Sequence, residues 1–206
     1  MPADQVRLLA IGDIHLGRRS GRIPADLDAS RLDPAAALDR AVRLAQRLNV
    51  RAVLMAGDLV DSDQNVFHAV GLLAGAVAEL AREGIAVLAV AGNHDAAVLP
   101  HAGDALRDLV VLGAGGRWEE VAIDDAVRVR GWSFPAPRHQ ANPLAGFPPV
   151  APGPPVLGLL HADLGTRASV YAPVTPGDLA GTGPVRWLLG HLHQPTLRPT
   201  DPAPGY

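Results

Sequence analysis

Residues 85–95 read IAVLAVAGNHD. Seven apolar residues run unbroken and then stop at Gly92-Asn93-His94-Asp95. A run this short and rich in Val, Ile and Leu is the pattern of a strand buried on both faces. The residues that end it carry oxygen and nitrogen donors. The same punctuation recurs on either side. Arg7–Ile11 ends at Gly12-Asp13-Ile14-His15, Ala52–Ala56 at Gly57-Asp58, Val156–Leu160 at His161, and Val185–Leu189 at Gly190-His191-Leu192-His193. Between the first three runs the period changes to that of a helix. Leu38, Ala41, Val42, Ala45 and Leu48 recur at helical spacing after Asp33-Pro34, a cap followed by a proline at the first helical position. Val66, Val70, Leu73, Val77 and Leu80 mark a second helix, closed by Gly84. Alternation of buried strand and amphipathic helix predicts an α/β fold.

The second half of the chain differs. Residues 117–133 read as two strands about a turn near Asp124-Asp125. Residues 135–155 hold eight of the nineteen prolines and predict a loop or lid rather than a core element.

Composition narrows the chemistry. The 206 residues include no Cys, and all 18 basic residues are arginine. Thiolate nucleophiles, disulfides, iron–sulfur clusters and Schiff-base lysines are thereby excluded. A metal site must use His, Asp, Glu or Asn, which favours Mn, Fe, Zn, Mg or Ca. A net charge of −3 gives no global nucleic-acid footprint. No apolar run is long enough to span a membrane. The N-terminal segment lacks the charged and apolar regions of a secretory signal, which predicts a cytoplasmic protein.

In open α/β sheets, ligands gather at the carboxyl ends of strands. Five such ends bring together Asp13, His15, Asp58, Asn93, His161, His191 and His193, a donor set for two first-row metals sharing a carboxylate. Two such cations roughly 3.5–4 Å apart clamp a phosphoryl group and turn a shared water into a hydroxide nucleophile. His94 lies beside this set and is a candidate to stabilise charge or protonate the leaving oxygen. Asp95 either orients the His94 ring or caps the helix that follows. The glycines before Asp58, Asn93 and His191 are expected to let the backbone turn tightly.

These five blocks resemble the signature of the calcineurin-like metallophosphoesterases: Asp-x-His, Gly-Asp, Gly-Asn-His-Asp/Glu, a lone His and Gly-His-x-His. The resemblance runs from Leu8 to about Pro195. It implies a two-sheet αββα sandwich forming a single catalytic domain over residues 1–206. Against that pattern the chain stops early, at Tyr206, without the last C-terminal strands or a capping domain, as a fragment or a minimal member would. The resemblance also implies that Asp13, His15, Asp58 and His193 hold one divalent metal. Asp58, Asn93, His161 and His191 would hold the other, with Asp58 bridging. His94, oriented by Asp95, takes the catalytic position.

The blocks GDIHLG at 12–17, GDLVD at 57–61, LHAD at 160–163 and YAP at 171–173 are further similar to the SbcD-like DNA-repair exonuclease branch. That likeness implies a Mn2+-dependent nuclease, with Fe, Zn or Mg as other metals, DNA as substrate and an SbcC-like ATPase partner. An open sheet edge would also suit a homodimer. Two rival readings are a small-molecule or nucleotide phosphoesterase and a non-catalytic metal-binding scaffold.

Residues outside the blocks carry weaker signals. Arg18, Arg19 and Arg22 follow the first block and suit either phosphate contact or a solvated loop. Asp61 and Asp63 are candidates to support the ligands. His68 and His101 are expected on helix surface or cleft rim, His139 has no assigned role, and Trp118, Trp132 and Trp187 are expected in the core.

Overall fold

The computed structural model describes residues 6–18, 32–61, 65–166, 168–183 and 185–193. Arg19, Arg22 and Asp63 lie outside the described residues. The first sheet is formed by β1 (Leu8–Ile11), β2 (Ala52–Ala56), β3 (Ala86–Val90) and β4 (Leu109–Val111), all parallel and in sequence order. The second is formed by β5 (Glu119–Ile123), β6 (Val127–Trp132), β7 (Val156–His161) and β8 (Val185–Gly190). Its β5–β6 pair is antiparallel, as the turn at Asp124-Asp125 requires, and β6, β7 and β8 run parallel. Among the described residues β8 is an edge strand.

The sheets pack face to face. Leu54, Ala56, Leu88 and Val90 of the first meet Val127, Val129 and Leu159 of the second in one buried cluster. Alternation along the strands sends the other faces outward. On the first sheet, Val53, Met55, Val87 and Ala89 pack under α1 (Pro34–Leu48) and α2 (Val66–Arg82). The Asp33 carboxylate caps α1, accepting from the Ala35 N–H at 2.8 Å, and Pro34 opens the helix. On the second sheet, Trp132, Leu160, Trp187 and Leu189 pack against Phe134, Leu144, Val174 and Leu179.

The proline-rich segment thus contributes to the core, contrary to its expected role as a simple loop or lid. It contains a 3-10 turn at Pro143–Gly146, and its carbonyls are taken by arginines of β6. Arg130 donates to the Pro148 carbonyl at 2.6 Å, and Arg128 to those of Pro154 and Ala151 at 2.9 and 2.8 Å.

Three short elements carry no periodic signal that marks them: the three-residue β4, α3 (Leu99–Ala105) and α4 (Pro176–Ala180). For α4 a local signal does exist. Thr175 and Asp178 form a reciprocal capping box at its start. Among the described residues no helix is long and apolar enough to cross a membrane.

Candidate metal centre

The carboxyl ends of β1, β2 and β3 face those of β7 and β8 across the top of the sandwich. Beyond the strand ends, β1 and β2 stay in register. The Asp13 N–H donates to Gly57 O at 3.0 Å, and the His15 N–H to Asp58 O at 2.9 Å. Within that ladder Asp13, His15 and Asp58 each adopt positive φ, at 53°, 52° and 51°. Non-glycine residues reach this region at a cost of about 1–3 kcal/mol, and such strain concentrates at functional sites. Here it holds two carboxylates and an imidazole within one small volume.

Three groups of donor atoms result, each within 4.8 Å of one another: Asp13, His15 and His193; His15, Asp58 and His94; Asp58, His161 and His191. The Asp58 carboxylate lies between the groups. Its Oδ2 is 3.8 Å from His15 Nε2 and 3.3 Å from His161 Nε2. Its Oδ1 accepts the His94 backbone N–H at 2.9 Å. Asn93 joins through its Oδ1, 3.1 Å from His161 Nε2. Asp13 accepts the His191 backbone N–H on both oxygens at 3.1 Å, and His193 Nε2 is 3.5 Å from Asp13 Oδ1. All seven candidate ligands therefore converge on one site. The His94 ring stands edge-on to His15, with centroids 4.9 Å apart.

Two observations test whether these donors suit cations. His15 is buried, yet neither of its ring nitrogens has a hydrogen-bond partner. Unpartnered buried polar atoms are rare, and an ion is one recognised cause. His161 is fully buried, and its Nδ1 donates to the Ala56 carbonyl at 2.9 Å. That bond orients the ring and leaves Nε2 facing the oxygens of Asp58 and Asn93, the arrangement of a ligand aimed at a cation. The donor set fits divalent metals.

The electrostatics agree. Burial alone would raise the Asp58 carboxyl, but the His161 ring, the His94 N–H and His15 outweigh it and hold it down at about 2. Burial lowers the pKa of His15 and of His191, so both favour the neutral, ligating form. Burial also acts to lower His161, but the Asp58 carboxylate overrides it and raises the ring's pKa, so a metal displaces a proton there.

Asp95 takes neither of its two expected jobs. It is fully buried. Its Oδ1 accepts the Gly92 N–H at 2.7 Å and its Oδ2 the Leu59 N–H at 2.7 Å, with the Val60 N–H at 3.4 Å. The carboxylate fastens the loop after β3 to the loop after β2; it bonds neither the His94 ring nor the first turn of α3. Burial and the Asp58 charge push it up to about 6, against the pull of the Leu59 and Gly92 N–H groups.

The glycine reading also needs correction. Gly57 does turn at positive φ, 86°. Gly92 and Gly190 do not, and matter for space instead. A Cβ on Gly92 would strike Asp58 Oδ1, and one on Gly190 would strike the Ala56 carbonyl and lie 2.9 Å from His161 Nδ1.

Around the centre, Arg18 is exposed, Asp61 is buried beside the β2 loop, and His68 and His101 lie on helix surfaces. Trp132 and Trp187 are buried in the core, while Trp118 is half-buried. One feature escaped motif reading: the Ala56 carbonyl that orients His161 has no side-chain signal at all. Tyr171 belongs to the YAP block, but its contact with His191, with ring centroids 5.1 Å apart, is made only by the fold.

Fold and site together define a two-sheet α/β protein with a carboxylate–imidazole centre at its strand ends. The chain belongs to the calcineurin-like phosphoesterase family, whose model matches residues 6–195. It is similar to the metallophosphoesterase YhaO of Bacillus subtilis (strain 168), at 27% identity over 161 residues. That match covers 73% of this chain and 38% of YhaO, so the chain spans well under half the length of this relative. Among solved structures, TT1561 of Thermus thermophilus shares the fold at 13% identity, with a TM-score of 0.53 over 93% of this chain and 84% of its own. A dimetal phosphatase from Danio rerio aligns at 21% identity over 61% of this chain and 43% of its own, with a TM-score of 0.40.

Proposed function

We propose that this phosphoesterase is a dinuclear-metal phosphodiesterase acting on DNA, of the SbcD-like repair-nuclease branch. The observation that carries the dinuclear reading is the Asp58 carboxylate, set between the ring nitrogens of His15 and His161. In this reading Asp13, His15, Asp58 and His193 hold one cation, and Asp58, Asn93, His161 and His191 hold the second. Two divalent cations so held, with Mn2+ the first candidate, supply Lewis-acid polarisation of the phosphoryl oxygens and activation of water.

The chain's own groups do the rest. Asp58 stays ionised at neutral pH and so keeps its place between the two groups. Ala56 and Asp58 hold the His161 ring in one orientation. The His94 N–H is fixed by Asp58, which leaves the half-buried ring free to face the phosphoryl group. There it donates a proton or hydrogen bond to the leaving oxygen. Asp95 positions that loop by clamping Gly92 to Leu59.

DNA as substrate is supported by the GDLVD, LHAD and YAP blocks, and an SbcC-like ATPase is the partner this reading implies. The experiment compares, with Mn2+ added, nucleotide release from linear duplex DNA with turnover of a generic aryl phosphodiester. Release from DNA is expected. Turnover of the aryl ester without release from DNA would overturn the nuclease reading in favour of a small-substrate phosphoesterase. His94→Ala is expected to retain metal and lose at least ~100-fold in turnover. Unchanged turnover would remove His94 from the mechanism.

A further inference from the structure

A second cleft lies at the carboxyl end of β6, the end of the sandwich that carries the metal centre. It encloses about 510 Å3 between the loop before β5 and the proline-rich segment. Trp118, Trp132 and His139 line it, with Arg117 and Asn142. The aromatic walls are fixed. The Trp118 indole N–H donates to the Pro143 carbonyl at 3.1 Å, and its ring meets Phe147 and Trp187 edge-on. The His139 ring rests 5.0 Å from Trp132, and its main chain bonds Val170 and Ala172.

The polar groups, by contrast, are unspent. Among the described residues neither ring nitrogen of His139 takes a hydrogen bond, and the Arg117 guanidinium has no partner. Asn142 uses only its Oδ1, on the Leu144 N–H, so its amide N–H groups are left over. Aromatic faces with free donors and an acceptor at the rim suit a planar heteroaromatic ring with a hydrogen-bonding edge.

Position relates the cleft to the reaction. Trp132 touches Phe134 at 5.5 Å, and Phe134 touches the His161 ring at 5.7 Å. On the other side His139 pairs through its backbone with Tyr171, whose ring lies against His191. The cleft and the candidate metal ligands share a wall.

We propose that this cleft is the subsite for the base of a nucleotide whose phosphate lies at the metal centre. The proposal rests on the phosphodiesterase reading above and deepens it. The base stacks on Trp118, Asn142 and His139 bond its edge, and Arg117 meets the base face or a neighbouring phosphate.

Two measurements test it. In the first, adenosine is titrated into the full chain in EDTA, with tryptophan fluorescence as readout. Saturable quenching is expected, with none from ribose 5-phosphate. His139→Ala and Arg117→Ala should each weaken adenosine roughly 5- to 50-fold, the loss typical of one stacking or edge contact. Arg117 is exposed, so its variant keeps the test valid should His139→Ala fail to fold. In the second, kcat/KM is compared for thymidine 5′-(p-nitrophenyl phosphate) and methyl p-nitrophenyl phosphate. The wild-type preference for the nucleoside ester should shrink about tenfold in either variant. Quenching unchanged in both variants, or matched by ribose 5-phosphate, overturns the subsite. Adenosine binding without turnover of either ester supports the subsite and rejects the phosphodiesterase reading. Turnover with an unchanged preference rejects the subsite and leaves the enzyme.

Discussion

The outer face of the first sheet is covered by α1 and α2, whereas that of the second is covered by residues 134–155, with eight prolines, together with Ala172, Val174 and Leu179. Helices satisfy their own backbone groups, so their cover needs only an apolar stripe. A proline-rich cover offers carbonyls but few N–H groups, so the donors must come from below. Arg128 and Arg130 supply them, and Glu120 pairs with both. The site divides along the same seam. The first sheet contributes both aspartates, Asn93, His15 and His94; the second contributes His161, His191 and His193. Cations held between them would join the two sheets.

The largest effect is expected on the first-sheet side of the centre. Gly92→Ala drives a methyl group into Asp58, and titration calorimetry should show roughly 100-fold weaker cation binding, as for lost ligand support. Unchanged affinity would mean that the β3 loop moves freely and that close packing at Gly92 does not hold Asp58 in place.

On the second-sheet side, Arg130→Met should leave the metal affinity alone and attack the cover. It strips the donor from Pro148 O and one of the two arginine partners from Glu120, and ends the stacking over Phe147. Urea denaturation should register a loss of about 3 kcal/mol. A loss near zero would show that the proline segment is held by apolar contact alone.

Between the halves lies Asp95, raised from 3.8 to about 6 chiefly by burial. A raised carboxyl binds more protons folded than unfolded. Its stabilising contribution is therefore full below about pH 4 and is lost as pH rises through about 6. The metal-free chain should lose on the order of 2–3 kcal/mol of unfolding free energy across that window. Asp95→Asn should lack this pH-dependent part. Parallel profiles would remove the assignment.

The smallest effect is a gain. Gly71 lies on the exposed face of α2 with open space around it, so Gly71→Ala should add about 0.5–1 kcal/mol and leave cation binding unchanged.

Much of this architecture could be read from the chain before any coordinates. Each long element announces itself locally: Asp33-Pro34 starts α1, the period of Val66, Val70, Leu73 and Val77 sets α2, and unbroken apolar runs mark five parallel strands. The candidate ligands could be read for a related reason. A polar donor directly after a buried strand has few places to go except the sheet's carboxyl edge.

What escaped is what depends on partners distant in sequence. β4 is only three residues long and exists because β3 offers it an edge. Asp95 looks like a helper for its neighbour His94, but it bonds backbone N–H groups some 35 residues away in the chain. Gly92 and Gly190 look like turn residues, and only packing shows that they clear space for Asp58 and the Ala56 carbonyl.

Local pattern, then, was enough to name every strand but β4, the two long helices and the seven donors, because periodicity and capping act over a few residues. Tertiary structure alone decided that Asp58 lies between two imidazoles, that Asp95 clamps two loops, that arginines hold the proline cover, and that an aromatic cleft lies beside the centre. Each of those depends on a contact across the sandwich, where burial and geometry, rather than spacing along the chain, set which groups meet.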